Sequence, residues 1–154
     1  MGAEIERKFL VRDDRWRAGA TGTPYRQGYL AADPDRTVRV RLAGTRGYLT
    51  VKGRSRGLER AEFEYEIPAA DAEELLDRLC LGPLVEKTRY RLEHAGHVWE
   101  VDEFAGENQG LLVAEVELGS ADERVELPDW AGDEVSGDPR YYNANLARHP
   151  FTRW

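Results

Sequence analysis

Glu4-Ile5-Glu6-Arg7-Lys8 sets Glu4, Glu6 and Lys8 on one side of an extended chain, because strand side chains alternate between faces with period two. The same alternation runs through Val38-Arg39-Val40-Arg41-Leu42, Leu49-Thr50-Val51-Lys52, Ala61-Glu62-Phe63-Glu64-Tyr65-Glu66-Ile67, Lys87-Thr88-Arg89-Tyr90-Arg91, Trp99-Glu100-Val101-Asp102 and Ala114-Glu115-Val116-Glu117-Leu118. An ordinary wet sheet face mixes Ser, Thr, Lys and Glu. Here whole rows carry one sign, which points to a shared ionic site.

Strands are predicted over 3–11, 25–31, 36–43, 47–53, 59–67, 86–94, 97–104 and 111–119, with hairpin turns at Gly44-Thr45-Arg46-Gly47 and His94-Ala95-Gly96-His97. One helix follows Pro68-Ala69-Ala70-Asp71, with Asp71 as N-cap, Glu74 three residues on, a stripe of Ala72, Leu75, Leu76, Leu79 and Cys80, and Gly82-Pro83 as the stop. A second short helix is expected from Asp138-Pro139 through Leu146 and Ala147, and a further turn around Trp16. Strands joined mostly as hairpins suit a closed antiparallel sheet, since closure removes edges. The expected fold is therefore mainly β (α+β): a closed eight-stranded antiparallel β-barrel with a charged lumen and a few packing helices. Its outer face (Ile5, Phe9, Val38, Val40, Val51, Phe63, Tyr65, Tyr90, Trp99, Val101, Val116) should bury against the helices and the C-terminal segment.

Composition narrows the rest. A length of 154 residues, with 41% apolar and 33% charged residues, suits one domain spanning 1–154. No apolar run reaches the roughly 20 residues of a membrane span, no signal-peptide core is present, and Met1-Gly2 lacks a Ser or Thr at position 6 for myristoylation. Cys80 alone cannot make an internal disulfide, which fits a cytoplasmic protein. A net charge of -7 argues against general nucleic-acid binding. An apolar outer patch would favour a homodimer, but the strand pattern singles none out.

Carboxylates two apart on one strand face sit about 6–7 Å from each other and repel by roughly 2.5 kcal/mol at an effective dielectric of about 20. Glu4/Glu6, Glu62/Glu64, Glu100/Asp102 and Glu115/Glu117 would repeat that cost around one cavity, and Arg39/Arg41 and Lys87/Arg89/Arg91, with Lys8 and Lys52, mirror it. Mutual pairing is the plain solution. The sharper one has the acids holding divalent cations and the bases a polyanion. All-oxygen donors without His or Cys clusters favour Mg²⁺ or Mn²⁺, and the number of cations suits a polyphosphate chain.

The chain resembles the CYTH family, the triphosphate tunnel metalloenzymes, through Glu4-x-Glu6-x-Lys8, Arg39-x-Arg41, Lys52, Glu62-x-Glu64, Lys87-x-Arg89, Asp102 and Glu115-x-Glu117 in order. It looks most like the small stand-alone bacterial members. The resemblance implies that Lys8, Arg39, Arg41, Lys52, Lys87 and Arg89 grip a triphosphate. It implies that Glu4, Glu6, Glu115 and Glu117, with Asp102, hold Mg²⁺ or Mn²⁺, and that Glu62 and Glu64 bind a second cation or orient a water. Triphosphatases on tripolyphosphate, thiamine triphosphate or RNA ends and class IV adenylate cyclases belong to the family. Hydrolysis of inorganic tripolyphosphate is the leading expectation. A cyclase and a non-catalytic polyphosphate-binding module are the alternatives. Lys87, its pKa depressed by neighbouring cations, would help activate water, assisted by Tyr29.

Other residues carry plainer readings. Trp16, Trp99, Trp130 and Trp154 are expected to pack, His94, His97 and His149 lack metal-ligand spacing, and Cys80 belongs to the helical stripe. Arg54, Arg56 and Arg60 flank a loop that could draw anions to the tunnel mouth. Tyr142, Asn143 and Asn145 lie in a segment, 136–149, that could close one end. No Walker A loop or Ser-His-Asp arrangement recommends another hydrolase class.

Overall fold

The computed structural model describes residues 3–154. Met1 and Gly2, and with them the expected lack of an acylation signal, lie outside the described residues. Nine strands form the sheet: β1 (Ala3–Val11), β2 (Thr21–Asp33), β3 (Arg36–Ala43), β4 (Arg46–Gly53), β5 (Glu59–Ile67), β6 (Leu81–His94), β7 (His97–Phe104), β8 (Leu112–Glu117) and β9 (Ala131–Glu134). Their order is β5-β4-β3-β2-β6-β7-β8-β1-β9, and β5 also pairs with β1. That last pairing closes β1 to β8 into the expected eight-stranded antiparallel barrel. The closing seam is short, Ala3 to Ile5 against Ala61 to Glu59, with one further bond from Glu6 N to the Leu58 carbonyl.

The charged rows turn inward and the apolar rows outward. Phe9, Trp99, Val101, Ala114 and Val116 are buried outside the β1–β7–β8 wall under Trp16 and Trp130. Val40 lies under α1 (Ala69–Arg78), whose Ala72 and Leu76 face it. A third cluster joins Tyr29, Val85, Phe104 and Val113 to Tyr141, Leu146 and Ala147 of the C-terminal segment. Burial of the whole outer face does not hold. Phe63 and Tyr65 are 47% and 59% exposed, because α1 covers β3 and β4 but leaves β5 bare.

Local departures have local causes. The helix starts directly after Pro68, whose carbonyl accepts from Ala72 N, so Asp71 sits in the first turn where its charge suits the helix dipole. It ends at Arg78; Leu79 is exposed, and Gly82-Pro83 opens β6 rather than a loop. The register shifts there from Gln27↔Val85 to Tyr29↔Leu81, a bulge that Gly82 (φ +59°) and the donor-less Pro83 both tolerate. Gly28 lies opposite, where a Cβ would stand 2.7 Å from Leu84 Cδ2 and 2.9 Å from Cys80 Sγ. The strand β9, unforeseen in the sequence, pairs with β1 at Phe9↔Glu134 and Val11↔Ala131. Arg7 pins it by donating to both oxygens of Glu134 (2.9 and 2.7 Å). The turn at Arg15–Arg17 falls where expected, whereas the helix expected from Asp138-Pro139 is split: Asp138 caps a short turn at Pro139–Tyr141, Tyr142 is extended, and α2 (Asn143–Arg148) starts only after it. No described helix is long and apolar enough to cross a membrane.

Candidate active site

The lumen holds a cavity of about 540 Å³. Its wall takes Glu4, Glu6 and Lys8 from β1, Tyr29 from β2, Arg39 and Arg41 from β3, and Lys52 from β4. Glu62 and Glu64 come from β5, Lys87 and Arg89 from β6, Glu115 and Glu117 from β8. Seven strands thus deliver every expected site residue except Asp102 to one space. Arg91, the last of its basic row, is exposed and does not line it.

Many of these charges pair across the lumen. Lys52 Nζ lies 2.7 Å from Glu4 Oε1 and 3.5 Å from Glu62 Oε2. Thr50 Oγ1 accepts from Arg39 Nη2 (3.2 Å) and donates to Glu64 Oε2 (2.9 Å). Arg89 Nη2 donates to Glu115 Oε1 (3.1 Å), and its Nη1 lies 3.3 Å from Glu100.

Asp102 projects to the inner face but is covered by Arg89 and Lys87 and does not border the cavity. Cross-strand pairing sets it directly opposite Arg89, which donates to both its oxygens (2.7 and 2.9 Å), and Lys87 Nζ donates to Oδ2 at 2.7 Å. Three donors and complete burial leave this carboxylate as an internal counter-ion. Burial pushes its pKa up, Arg89 and Lys87 outweigh that, and it ends below the usual value. Asp102→Asn should therefore cost about 3–5 kcal/mol of stability, since two buried cations lose their shared anion. A denaturant titration within about 1 kcal/mol of the parent would contradict this.

The pair does not balance evenly. Asp102 is shared between Arg89 and Lys87, so it offsets the cost of burying the Lys87 charge only in part. Burial is the main cause bringing Lys87 down to about 7, with Arg89 and Arg41 adding to it against the pull of Asp102 and Glu115. Arg41 is brought down to about 10, first by burial and then by Arg39 and Arg89. Among the described residues no carboxylate lies within salt-bridge distance of Arg41, and its buried Nε, like that of Arg39, has no partner. The Tyr25 ring, unforeseen in the sequence, holds it instead: Arg41 and Arg89 stand 4.9 and 5.2 Å from its centroid. An aromatic face fixes a guanidinium without neutralising it. Tyr29 is buried, which raises its hydroxyl pKa despite Arg39 and Lys8, so it faces the cavity as a proton-holding donor.

On the acid side, Glu6 on β1 and Glu115 on β8 are diagonal neighbours across paired strands and both line the cavity. Burial and then Glu115 raise Glu6 well above the usual range. Glu115 is lowered, as Lys8 and Arg89 outweigh its burial. Burial likewise opposes the Lys8 charge, but Glu115, Glu6 and Glu4 leave its pKa raised. Carboxyls this close, one of them pushed up by the other's charge, mark a place where a cation would relieve repulsion, and the donors are all oxygen. Among the described residues, no three His, Cys, Asp or Glu side chains already converge on a metal position, the acids being drawn toward neighbouring bases.

The C-terminal segment packs over one end. Tyr142, Asn143, Asn145 and Arg148 line the cavity, and Lys8 Nζ donates to the Tyr141 carbonyl (3.4 Å). Asn143 Oδ1 accepts from Lys87 Nζ (3.1 Å) and from Gln27 Nε2 (3.0 Å). Their contribution was signalled only by the polar-aromatic run 141–145.

A closed barrel lined by opposed rows of acids and bases, with Arg41 out of reach of any described carboxylate, defines a charged-tunnel protein. The CYTH domain model matches residues 2–148, and the chain belongs to that family. An inorganic triphosphatase from Acetivibrio thermocellus is 52% identical over 151 residues, spanning 98% of this chain and 97% of its own. One from Nitrosomonas europaea is 40% identical, spanning 94% and 96%. A crystal structure of an inorganic triphosphatase, 38% identical, superposes with a TM-score of 0.68 over 93% of this chain and 96% of that one.

Proposed function

We propose that this protein is a metal-dependent inorganic triphosphatase that cleaves tripolyphosphate to pyrophosphate and phosphate. The observation that carries this is Arg41, a half-buried, cavity-lining side chain with a buried Nε, held on an aromatic face beside Arg39 with no described carboxylate within ion-pair distance. A guanidinium out of reach of any carboxylate is stabilised by an anion that accepts from it, and the oxygens of a triphosphate chain are such acceptors. The similarity to curated inorganic triphosphatases over nearly the whole chain supports the same substrate.

Transfer of a phosphoryl group to water requires neutralised oxygens and an in-line nucleophile. Arg39, Arg41, Lys8 and Lys52 would neutralise the chain of phosphates, Arg89 being largely committed to Asp102. Glu4, Glu6, Glu115 and Glu117 would hold Mg²⁺ or Mn²⁺, which when bound stabilises charge on bridging oxygens and lowers the pKa of water. Lys87, neutral in part at pH 7, would accept or relay a proton, with Glu62 and Glu64 orienting water.

Phosphate and pyrophosphate release from tripolyphosphate, ATP and thiamine triphosphate, with Mg²⁺ and with Mn²⁺, tests this. We expect fastest release from tripolyphosphate, its loss with EDTA and its return with either metal. Cyclic AMP with pyrophosphate from ATP would make the protein a cyclase instead. Glu6→Gln with Glu117→Gln should abolish turnover; a simple binding module would bind polyphosphate as well or better with the acids gone.

A further inference from the structure

The Lys87 amine nitrogen has four positions, and its surroundings take three of them. Cε fills one, Asp102 Oδ2 a second at 2.7 Å and Asn143 Oδ1 a third at 3.1 Å. An amine between two such atoms donates to both, so the atom Asn143 presents must be its oxygen. That oxygen also receives Gln27 Nε2 at 3.0 Å, which fixes the Gln27 amide in turn. Gln27 is wholly buried on β2 and Val85 lies opposite it, so it cannot swing away. The fourth position of the nitrogen is left for the cavity that Lys87 lines.

We propose that Asn143, locked by Gln27, is a positioning residue that aims the Lys87 amine at the reacting phosphoryl group or its water. This rests on the triphosphatase reading above. The helix that carries Asn143 is docked by other means: Leu146 and Ala147 are buried against the barrel end, and Asn108 Nδ2 donates to the Leu146 carbonyl (3.4 Å). The Asn143 amide is therefore free to serve the lysine rather than the fold.

The two links act in series, which makes them separable from a general packing effect. Asn143→Ala frees the amine to rotate about its stem. Gln27→Met removes the donor that holds the Asn143 oxygen in place while keeping the length and burial of the side chain. Phosphate release from tripolyphosphate is measured for the parent, each single variant and the double, with circular dichroism confirming the fold. Because Arg39, Arg41 and Lys52 bind the ground state independently, Asn143→Ala should lower kcat by about tenfold or more with KM within about threefold. Gln27→Met should lower kcat by about threefold, and the double should match Asn143→Ala alone, since the glutamine acts only through the asparagine. An unchanged kcat in Asn143→Ala, a rise in KM alone, or single effects that multiply in the double would overturn the inference. Should Asn143→Ala fail to fold, an unchanged kcat in Gln27→Met would overturn it as well. A parent that releases no phosphate from tripolyphosphate would instead remove the functional reading on which the inference stands.

Discussion

Arg41→Ala is expected to lower kcat/KM on tripolyphosphate by about a hundredfold to ten-thousandfold while leaving the thermal midpoint unchanged or raised. The first half follows from two charge-assisted hydrogen bonds to a phosphate at about 1.5–3 kcal/mol each. The second follows from what Arg41 faces without substrate. Its charge is disfavoured by burial and by Arg39 and Arg89, which outweigh the pull of Glu64, and among the described residues no carboxylate lies within ion-pair distance of it. Arg41→Lys should recover part of the loss at most, because a point charge cannot hold two oxygens in the plane of the fork. Arg39→Ala offers the contrast: Arg39 also bonds Thr50 and lies 3.6 Å from Glu64, so its removal should lower stability as well as activity. An Arg41→Ala protein that melts several degrees early would show that the guanidinium is structural.

Lys87→Met should abolish most turnover and yet stabilise the protein in acid. The folded pKa of Lys87, about 7, lies below its ordinary value of 10.5, so the unfolded chain binds its proton more tightly. Below pH 7 both states are protonated and the folded state bears the full cost, about 5 kcal/mol at roughly 1.4 kcal/mol per pH unit. The cost declines as pH rises and is gone above 10.5. Methionine removes it but also removes the hydrogen bonds to Asp102 and Asn143, together about 2 kcal/mol. The balance is a gain of about 3 kcal/mol near pH 6 that fades to nothing by about pH 9. Urea titrations at the two pH values check this; a variant less stable than the parent at pH 6 would refute it. In the parent, kcat/KM should rise with pH through about 7, where free Lys87 loses its proton. The limb for kcat should lie higher, since a bound polyanion favours the ammonium.

The barrel was legible because period-two alternation survives in a single sequence, and because its rows were uniform in sign. Register between distant strands was not. Glu100-Val101-Asp102 looked like another acid row, and only the pairing of β6 with β7 places Asp102 between Arg89 and Lys87, out of the cavity. The strand β9 reads as a turn, Ala131-Gly132-Asp133-Glu134, and owes its existence to the β1 edge and to Arg7. Tyr25 sits before Arg26 and Gln27 with nothing to distinguish its ring from a packing aromatic. Its meaning came from Arg41, on the next strand, and from Arg89, across the other neighbour. Apolar residues such as Phe63 were assigned to the core by type, yet how far α1 reaches across the wall decides exposure.

The three-residue seam between β1 and β5 has a kinetic consequence. β2 to β5 can pair as successive hairpins, and so can β6 with β7, all contacts local in sequence. β1 must instead find Ala61 on one side and Glu115 on the other, across loops whose ordering has to be met before any contact rewards it. Until it docks, Lys52 lacks Glu4, Arg89 faces Glu115 without Lys8 or Glu6 beside it, and there is no closed chamber. Ring closure and assembly of the ionic site are thus expected to be a single late event in refolding. A refolding chain would regain its sheet spectrum well before it could turn over substrate.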